Sequence, residues 1–309
     1  IHQSVDNLTF DDRALVPPTL GRWNQWREQI ETARRAAALR LSRFGVDDVG
    51  EELQALLRSD RSARDGNHAG AVFKDCDVCP EMVVVPPGRY QEKPSSARGL
   101  SQADDRQPFV AIDGPFAVGV YEVTFAEWDA CVADGGCAGY APEDEGWGRD
   151  RRPVINVSWE DAQSYLAWLN DRTGKTYRLL TGDEWAYVAR AGTTTAFPFG
   201  QAILTDDANY LESGLAQTLP VGSFQPNWFG LYDTVGNVRE WLDYCRTIRV
   251  DNDSGQKVRR LFCQKQAQLG GSWMDDESAL WVYPIRREIF RVRRFRYDHA
   301  GFRVARDLQ

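Results

Sequence analysis

Cysteine is the residue type whose number and spacing in this chain point most directly to chemistry. A Cys-x-x-Cys spacing suits half a zinc site or a redox pair, but a zinc site needs a second pair of ligands. We favour three local disulfides formed in an oxidising compartment, although so short a loop strains disulfide geometry. The six cysteines form three couples that are close in sequence: Cys76 with Cys79, Cys131 with Cys137, and Cys245 with Cys263.

The chain has too few histidines to favour a zinc site or a catalytic dyad. The three histidines, His2, His68 and His299, are far apart in the sequence. A zinc knuckle, or a catalytic dyad with Cys or Ser, would need them to converge by chance. The chain also lacks the local motifs of serine hydrolases, P-loop proteins, zinc proteases and dinucleotide-binding folds. Carboxylates are abundant, so a glycosidase-type pair is not excluded by number, but no spacing singles one out.

The chain has 309 residues and a mass of 35.0 kDa, which is enough for one large domain with an appendage. The formal net charge of -8 argues against non-specific nucleic-acid binding, which requires a basic surface. No run of about 18 apolar residues occurs, so no membrane-spanning helix is predicted. Because Ile1–Gln3 lack an initiator Met and an apolar leader, they are interpreted as a mature or trimmed terminus.

The first 70 residues differ in character from the rest. Between Leu20 and Arg58 the chain is rich in Ala, Arg, Leu and Glu, with apolar residues at helical spacing, and Gly45 predicts a break between two helices. The polar segment Ser59–Gly70 predicts a linker. The sequence therefore predicts an N-terminal helical extension with its linker over residues 1–70 and a main domain over residues 71–309.

Short strands and two helices are predicted for the main domain. The apolar runs Met82–Val85 and Phe116–Val120 are typical of strands. Ser158 with Asp161, and Thr181 with Glu184, have the spacing of capping boxes and predict helix starts. The helical period then predicts buried faces made of Ala162, Tyr165, Leu166 and Leu169 in the first helix, and of Trp185, Val188 and Ala189 in the second.

Seven sequence blocks in a fixed order give this domain a signature. Their order and spacing closely resemble the formylglycine-generating-enzyme (sulfatase-modifying factor) family over Phe73–Arg306. The resemblance implies an α+β, C-type-lectin-like fold with little regular secondary structure. The blocks are PEMVVVPPGRY from Pro80, YEVTFAEW from Tyr121, PVINVSWEDAQSYLAWLN from Pro153, YRLLTGDEWAYVARAG from Tyr177, FGLYDTVGNVREWL from Phe229, LGGSW from Leu269 and GFRVAR from Gly301.

The resemblance also implies a structural calcium site at the GNVREW segment. The matching positions supply Asp233 and Glu240 by side chain, and Gly236 and Val238 by carbonyl. The alternative is that Asp233 only satisfies turn backbone, together with Asn237, while Glu240 pairs with an arginine.

A second calcium site of the family would begin at Asn209 and Tyr210. The following segment, LESGLAQT, is shorter than in the family and lacks the expected Asp, so Glu212 is the remaining substitute. The number of calcium sites is left open.

The residues that carry catalysis in the family are absent from this chain. The enzymes hold copper with two cysteines that follow the GGS turn, and the matching positions here are Asp275 and Leu280. Cuprous copper requires soft thiolate ligands, which neither residue provides. Arg239 also replaces the tryptophan of the family's GNxWEW motif, although Ser272 of the turn persists. The resemblance therefore implies a catalytically degenerate domain without copper.

Iron chemistry is likewise not predicted. A second catalytic branch with this fold, the iron-dependent sulfoxide synthases, takes its metal from three histidines supplied largely by a helical domain. The N-terminal segment here offers only His2 and His68. We therefore expect the domain to bind a partner and not to catalyse a reaction.

A stretch rich in arginine and aromatic residues, Met274–Ala300, replaces the enzyme pocket. Such mixtures are typical of protein-interface hot spots. The alternative is that half of the rings belong to the core and the arginines pair with acidic residues. The candidate binding surface consists of Trp281, Tyr283, Arg286, Arg287, Arg239 and Asp275.

Within the family, the chain resembles the TagR-type accessory proteins of type VI secretion, which combine a domain lacking the catalytic cysteines with a helical extension. The resemblance implies a periplasmic regulator that promotes activation of a membrane Ser/Thr kinase in the threonine-phosphorylation pathway. It implies two partners, the periplasmic part of that kinase and an outer-membrane lipoprotein that associates the regulator with the outer membrane.

Two other functions compete with this regulator. One is a ligand-binding variable protein of a diversity-generating retroelement, which uses the same fold and varies near the C-terminus. The other is a metal-dependent oxidase of unknown substrate, which would retain transition metal after purification.

Overall fold

The computed structural model describes residues 69–91, 109–251, 257–282 and 288–308. Within these ranges the strands are β1 (Val72–Phe73), β2 (Met82–Val85), β3 (Gly88–Gln91), β4 (Phe109–Ile112), β5 (Phe116–Gly119), β6 (Tyr177–Leu179), β7 (Arg239–Asp251), β8 (Lys257–Leu269), β9 (Ile289–Val292), β10 (Ala300–Gly301) and β11 (Val304–Asp307). The helices are α1 (Phe125–Ala133), α2 (Trp159–Thr173) and α3 (Gly182–Arg190), with 3-10 turns at Cys137–Gly139, Leu211–Ser213 and Glu277–Ala279. The predicted helical extension lies outside the described residues.

A five-stranded antiparallel sheet has the order β1-β2-β5-β11-β6. The strands β2 and β5 are buried along their whole length, which explains their unbroken apolar runs. Both strands were predicted from sequence, although β5 ends one residue early, at Gly119. The strand β11 pairs with both β5 and β6 and thereby joins β6 to the sheet.

A second, mixed sheet carries the candidate site. Its order is β10-β7-β8-β9, with β10 parallel to β7 and the other pairs antiparallel. The strands β3 and β4 form a separate antiparallel pair. Mixed sheets, few helices and long loops confirm the α+β class that the sequence predicted.

The three helices begin at capping boxes. Ser158 and Asp161 form the predicted box at α2, and Thr181 and Glu184 form the predicted box at α3. The predicted apolar residues of both helices are buried. Thr124 forms a third box with Glu127 at α1, a helix that we did not predict although the same sequence signal is present.

The five-stranded sheet separates two apolar cores. Val83 and Val118, which are paired in register, contribute to the first core together with α3 and parts of β7 and β8. Met82 and Ala117 contribute to the second core, which α1 and α2 cover. This division follows from the strand period of two, which sends successive side chains to opposite faces.

All three predicted disulfides are present, with S–S distances of 2.07 Å for Cys76–Cys79, 2.09 Å for Cys131–Cys137 and 2.13 Å for Cys245–Cys263. The described part of the chain contains no free cysteine. None of the helices in the described ranges has the length and apolar content that spanning a bilayer requires.

Candidate functional site

Two neighbouring residues at the start of β7, Arg239 and Glu240, each belong to a buried ion pair. Because successive side chains of a strand point to opposite faces, these two residues reach different surroundings. We call the pair of Glu240 with Arg303 the inner pair and the pair of Arg239 with Asp275 the outer pair. Of the predicted calcium-binding and surface residues, Arg239, Glu240 and Asp275 belong to these two ion pairs.

The inner pair is completely enclosed. Glu240 Oε1 accepts hydrogen bonds from Arg303 Nε at 3.0 Å and Nη2 at 2.9 Å, and the indole of Trp185 donates to Glu240 Oε2 at 2.8 Å. Arg303 also donates to three main-chain carbonyls, those of Gly119, Val120 and Tyr232. Arg303, which lies between β10 and β11, therefore connects β7 to the end of β5. Glu240 pairs with an arginine, as in the alternative to calcium binding.

Two further carboxyl groups adjoin the inner pair. Glu122 is fully buried and accepts from the amide of Asn237 at 2.7 Å and from the backbone N–H of Val238 at 3.2 Å. Burial raises the pKa of Glu122 well above its usual value, and nearby Asp233 adds to this effect. Burial likewise raises the pKa of Asp233 to about 6, although its carboxylate accepts a hydrogen bond from Gly222 N–H. Three carboxyl groups thus share one buried arginine.

The two segments predicted to bind calcium lie against each other. The carbonyl oxygen of Asn209 accepts from the backbone N–H of Asn237 at 2.8 Å, and the two asparagine side chains are 3.3 Å apart. A Cβ atom at Gly236, which has φ of 80°, would approach the Asn209 oxygen to 2.3 Å, so this contact requires glycine. Tyr210 is buried beside Asn209.

The donor set at this place does not form a ready calcium shell. Both oxygens of Glu240 are engaged by Arg303 and Trp185, and Asn237 binds backbone and Glu122. Across the described residues, no three His, Cys, Asp or Glu side chains are grouped so as to hold a metal ion. Calcium at Asp233, Gly236 and Val238 stays a prediction.

The outer pair lies where the sequence predicted a lost catalytic centre. Arg239 and Asp275 are both at least nine-tenths buried and form a two-pronged ion pair, with Arg239 Nε 2.8 Å from Asp275 Oδ2. The hydroxyl of Ser272 donates to the same carboxylate at 2.6 Å. Two residues that the resemblance marks as departures from the family pattern, Arg239 and Asp275, are thus each other's partner, and Ser272 completes the cluster.

Leu280, the second position that the resemblance assigns to a copper cysteine, is a core residue. It is 1% exposed and belongs to the first core. A Cβ atom at Gly271 would come within 2.7 Å of its Cδ1 atom, so the glycine of the GGS turn gives the leucine room. The site of the implied thiol pair is therefore filled by an ion pair and an aliphatic side chain.

Partly exposed groups surround the outer pair. His299 accepts a backbone hydrogen bond from Arg239, its Nδ1 lies 2.8 Å from Asp298, and burial lowers its pKa. The indole of Trp273 packs edge-on against Trp147 with ring centroids 5.4 Å apart. Met274, next to Asp275, is 43% exposed. Met274 is thus an exposed apolar side chain next in sequence to a buried member of the outer pair.

The candidate binding residues are thus distributed differently from the prediction. Arg239 and Asp275 are buried and bind each other, so they support the surface from below. Trp281 packs against the first core. Tyr283, Arg286 and Arg287 lie outside the described residues.

Sequence reasoning missed the most deeply buried charged residues. Glu122 follows the tyrosine of YEVTFAEW, and Arg303 is the arginine of GFRVAR, yet neither was considered a site residue. Their membership of two signature blocks was the available signal. Their partnership with Glu240 and Asn237 could not be inferred, because 184 positions separate Arg303 from its carbonyl acceptor at Gly119.

Comparison with known proteins identifies the family. The model of the sulfatase-modifying factor enzyme 1-like domain matches residues 68–308. Mouse formylglycine-generating enzyme is 31% identical over 180 residues, which cover 52% of this chain and 45% of that protein. The bovine protein called inactive C-alpha-formylglycine-generating enzyme 2 is 34% identical over 167 residues, covering 50% of each. The chain therefore spans about half the length of these curated relatives.

A shorter match concerns a kinase. A segment of 97 residues is 38% identical to the serine/threonine-protein kinase pkn1 of Chlamydia caviae, and it covers 31% of this chain and 14% of that protein. The similarity is therefore to a small part of the kinase chain.

Solved structures agree with the family in their fold. PvdO from Pseudomonas aeruginosa is 33% identical with a TM-score of 0.61, covering 78% of this chain and 99% of that one. Variable protein 1 of Treponema denticola has a TM-score of 0.58 at 22% identity, covering 76% of this chain and 98% of that one, which shows a shared fold alone. The predicted C-type-lectin-like fold is confirmed. On the match over residues 68–308, the chain belongs to the sulfatase-modifying factor enzyme 1-like domain family.

Proposed function

We propose that this domain is a non-catalytic binding protein of its family. The observation that carries the proposal is the outer pair, in which Arg239, Asp275 and Ser272 saturate one another at the place of the implied copper site. A carboxylate held by an arginine and a serine has little capacity left for a metal, and Leu280 has none. Relatives named inactive support the same direction.

The partner that we propose is the extracytoplasmic part of a membrane Ser/Thr kinase. The resemblance to TagR-type accessory proteins motivates this choice, and the match to a segment of a Ser/Thr kinase supports a link to kinase proteins. The domain would act in the periplasm, promote kinase activation in the threonine-phosphorylation pathway of type VI secretion, and associate with an outer-membrane lipoprotein. Three disulfides suit such an oxidising compartment.

The contact region that we propose is the surface at Met274 and Trp273, next to the outer pair in sequence. Met274 is exposed, and Trp273 packs against Trp147. Exposed apolar side chains around a fixed, satisfied polar cluster are typical of interface centres. The buried ion pair would hold this surface in one conformation.

The test is binding of the full chain to the purified extracytoplasmic part of the kinase, measured by isothermal titration calorimetry. We expect Met274→Arg to weaken binding by at least tenfold, because it places a charge in an apolar contact. Leu204→Arg is the matched control, since Leu204 is 67% exposed and lies outside this surface, and it should bind as the unmodified chain does. Equal binding by both variants would contradict the proposed surface, and no binding by any of them would contradict the proposed partner.

Metal analysis separates this proposal from an oxidase. The chain is purified without chelators and its copper and iron are measured against protein. Less than about a tenth of an equivalent is expected if no thiolate or imidazole cluster holds these ions. Stoichiometric copper or iron would overturn the non-catalytic assignment.

We also propose that calcium binds at the Asp233–Glu240 segment. Main-chain oxygens of Gly236 and Val238 with the Asp233 carboxylate would be the ligands, and the ion would offset the excess of buried carboxyl groups. A ligand that binds only the native state raises the melting temperature. An unchanged melt on moving from chelator to millimolar calcium would argue against the ion.

A further inference from the structure

The strands β7 and β8 continue beyond the four-stranded sheet as a two-stranded ribbon. Within it, Arg246–Asp251 pair in antiparallel register with Lys257–Phe262. The neighbouring strand β10 pairs with β7 only at Arg239 and Glu240, and β9 pairs with β8 only over Lys265–Gln268. No strand in the described ranges therefore pairs with the outer edges of this ribbon.

The ribbon is fixed where it leaves the sheet. Cys245 and Cys263 form a disulfide between β7 and β8, directly next to the first ribbon positions. The register of the two strands shifts on both sides of Cys245, which interrupts the regular pairing where the ribbon begins. A covalent link at the base keeps the two strands together even if the ribbon makes few other contacts.

The charge of the ribbon is opposite to that of the chain. Its twelve paired positions hold one acidic residue, Asp251, whereas the whole chain has a formal net charge of -8. Arg249 lies opposite Arg259 in the register, and like charges at opposite positions destabilise a strand pair. The five basic residues are Arg246, Arg249, Lys257, Arg259 and Arg260.

Unpaired strand edges are templates for a further strand, and proteins that avoid such pairing protect their edges. A basic ribbon selects against a second copy of itself, because ribbon-to-ribbon pairing would add basic residues to basic residues. A negatively charged strand would instead add charge opposite to that of the basic ribbon residues. Both features point to one type of occupant.

We propose that this ribbon docks an acidic, extended segment of a partner protein by strand addition. The inference rests on the proposed binding function and names the chemistry of the segment that would be recognised. Main-chain hydrogen bonds to an outer edge of the ribbon supply the pairing, and the acidic side chains of the segment supply the charge complementarity.

The test uses the full chain and a fluorescein-labelled decapeptide of alternating Glu and Val, followed by anisotropy at physiological ionic strength. Saturable binding is expected, and Arg249→Glu with Arg259→Glu should weaken it by at least tenfold. The matched control, Arg172→Glu with Arg293→Glu, makes the same charge change at two exposed ion pairs elsewhere and should leave the affinity within twofold. A larger loss in the control would overturn the assignment to the ribbon.

A second peptide separates strand addition from simple charge attraction. It has the same sequence but carries N-methyl groups on alternate residues, which remove the N–H donors of one edge and preserve the charge. Its binding should fall at least tenfold. Equal binding, tighter binding of a single-stranded oligonucleotide, or concentration-dependent dimers that the ribbon variant abolishes would each overturn the proposal.

The same variants distinguish this inference from the proposed function. If the ribbon variant binds the extracytoplasmic part of the kinase as well as the unmodified chain does, the ribbon is not the contact, and the binding function stands. If the unmodified chain binds the acidic peptide but captures no kinase, the proposed partner fails and the ribbon assignment stands.

Discussion

The inner and outer ion pairs start from adjacent residues of one strand, but they differ in what surrounds them. Arg303 of the inner pair also donates to three main-chain carbonyls, and Glu240 also accepts from Trp185. Among the described residues, Ser272 is the one further side-chain hydrogen-bond partner of the outer pair, and Met274, next in sequence to Asp275, is exposed. The inner pair connects the elements of the fold, whereas the outer pair fills a local site.

From this difference we expect the two pairs to tolerate substitution differently. A buried charge is acceptable when its partners are complete, and removing one partner leaves an uncompensated charge. The inner pair has many partners on several strands, so no single replacement can restore them. The outer pair has few partners, so both of its members could be exchanged together.

Breaking the inner pair should have the largest effect. Arg303→Leu leaves Glu240 buried without a cation and removes the donor to three carbonyls, so we expect the free energy of unfolding to fall by about 3–5 kcal/mol. Urea denaturation followed by tryptophan fluorescence measures the change. The exposed pair of Arg293 with Glu160 is the control, and Arg293→Met should cost less than about 1 kcal/mol. Similar losses in both variants would remove the distinction between buried and exposed pairs.

The outer pair should be costly to break singly but cheap to replace. Asp275→Leu leaves Arg239 buried and unpaired, so we expect a loss of about 3 kcal/mol. Adding Arg239→Met removes the uncompensated charge, and the double variant should recover most of that loss. The corresponding double variant at Glu240 and Arg303 should not recover, because the three carbonyls stay without a donor. Recovery at both pairs, or at neither, would contradict the proposed difference, as measured by the same denaturation.

The pH dependence of stability tests the excess of carboxyl groups near the inner pair. Burial raises the pKa of Asp233 to about 6, so the folded state favours the protonated form. Its contribution to stability is complete below the unfolded pKa near 4 and is lost as pH rises through 6. Asp233→Asn should therefore stabilise the calcium-free chain at pH 8 by up to about 3 kcal/mol, with no difference at pH 4.

Calcium reverses the sign of that prediction. If the ion binds Asp233, the unmodified chain should be the more stable at pH 8 in millimolar calcium, and Asp233→Asn should lose the stabilisation. Thermal melts at pH 4 and 8, with calcium or chelator, distinguish the two cases. A variant that behaves like the unmodified chain at every pH would contradict the raised pKa.

The smallest effect concerns Gln268, which pairs in register with Trp241 on β7. Neither amide atom of this buried side chain has a hydrogen-bond partner in the described structure. Gln268→Leu should therefore stabilise the fold by about 1 kcal/mol, because an unsatisfied buried polar group is costly. The comparison variant is Thr218→Val, which removes a different kind of buried polar group, a hydroxyl that also has no hydrogen-bond partner in the described structure. A loss on Gln268→Leu would show that the amide has a partner in solution.

The sequence predicted local features reliably because they depend on neighbouring residues. The capping boxes at Ser158 and Thr181, the apolar strand at Met82–Val85 and the three near-sequence disulfides all arise within a few to 18 positions. The signature blocks predicted the family and its fold. The α1 helix carries the same local capping signal, at Thr124 and Glu127, and was therefore also within reach of the sequence.

Long-range pairing was beyond the reach of the sequence. The resemblance predicted that Arg239 and Asp275 replace family residues, but it could not predict their direct contact, because 36 positions separate them. The choice of Glu240 between a metal ion and an arginine also depended on where Arg303 lies, 63 positions away. Spacing limits what one residue can reach locally, whereas the packing of distant strands decides which buried charges meet.

The amino-acid sequence by itself thus determined the family and the local elements, since these are properties of residue type and near-neighbour spacing. Only the tertiary structure decided that Asp275 forms an ion pair while Leu280 lies in the core, and that one strand carries two separate charge centres. The physical reason is that a buried charge requires a nearby partner of opposite charge. Here the packing of strands and loops places that partner, which lies far away in the sequence.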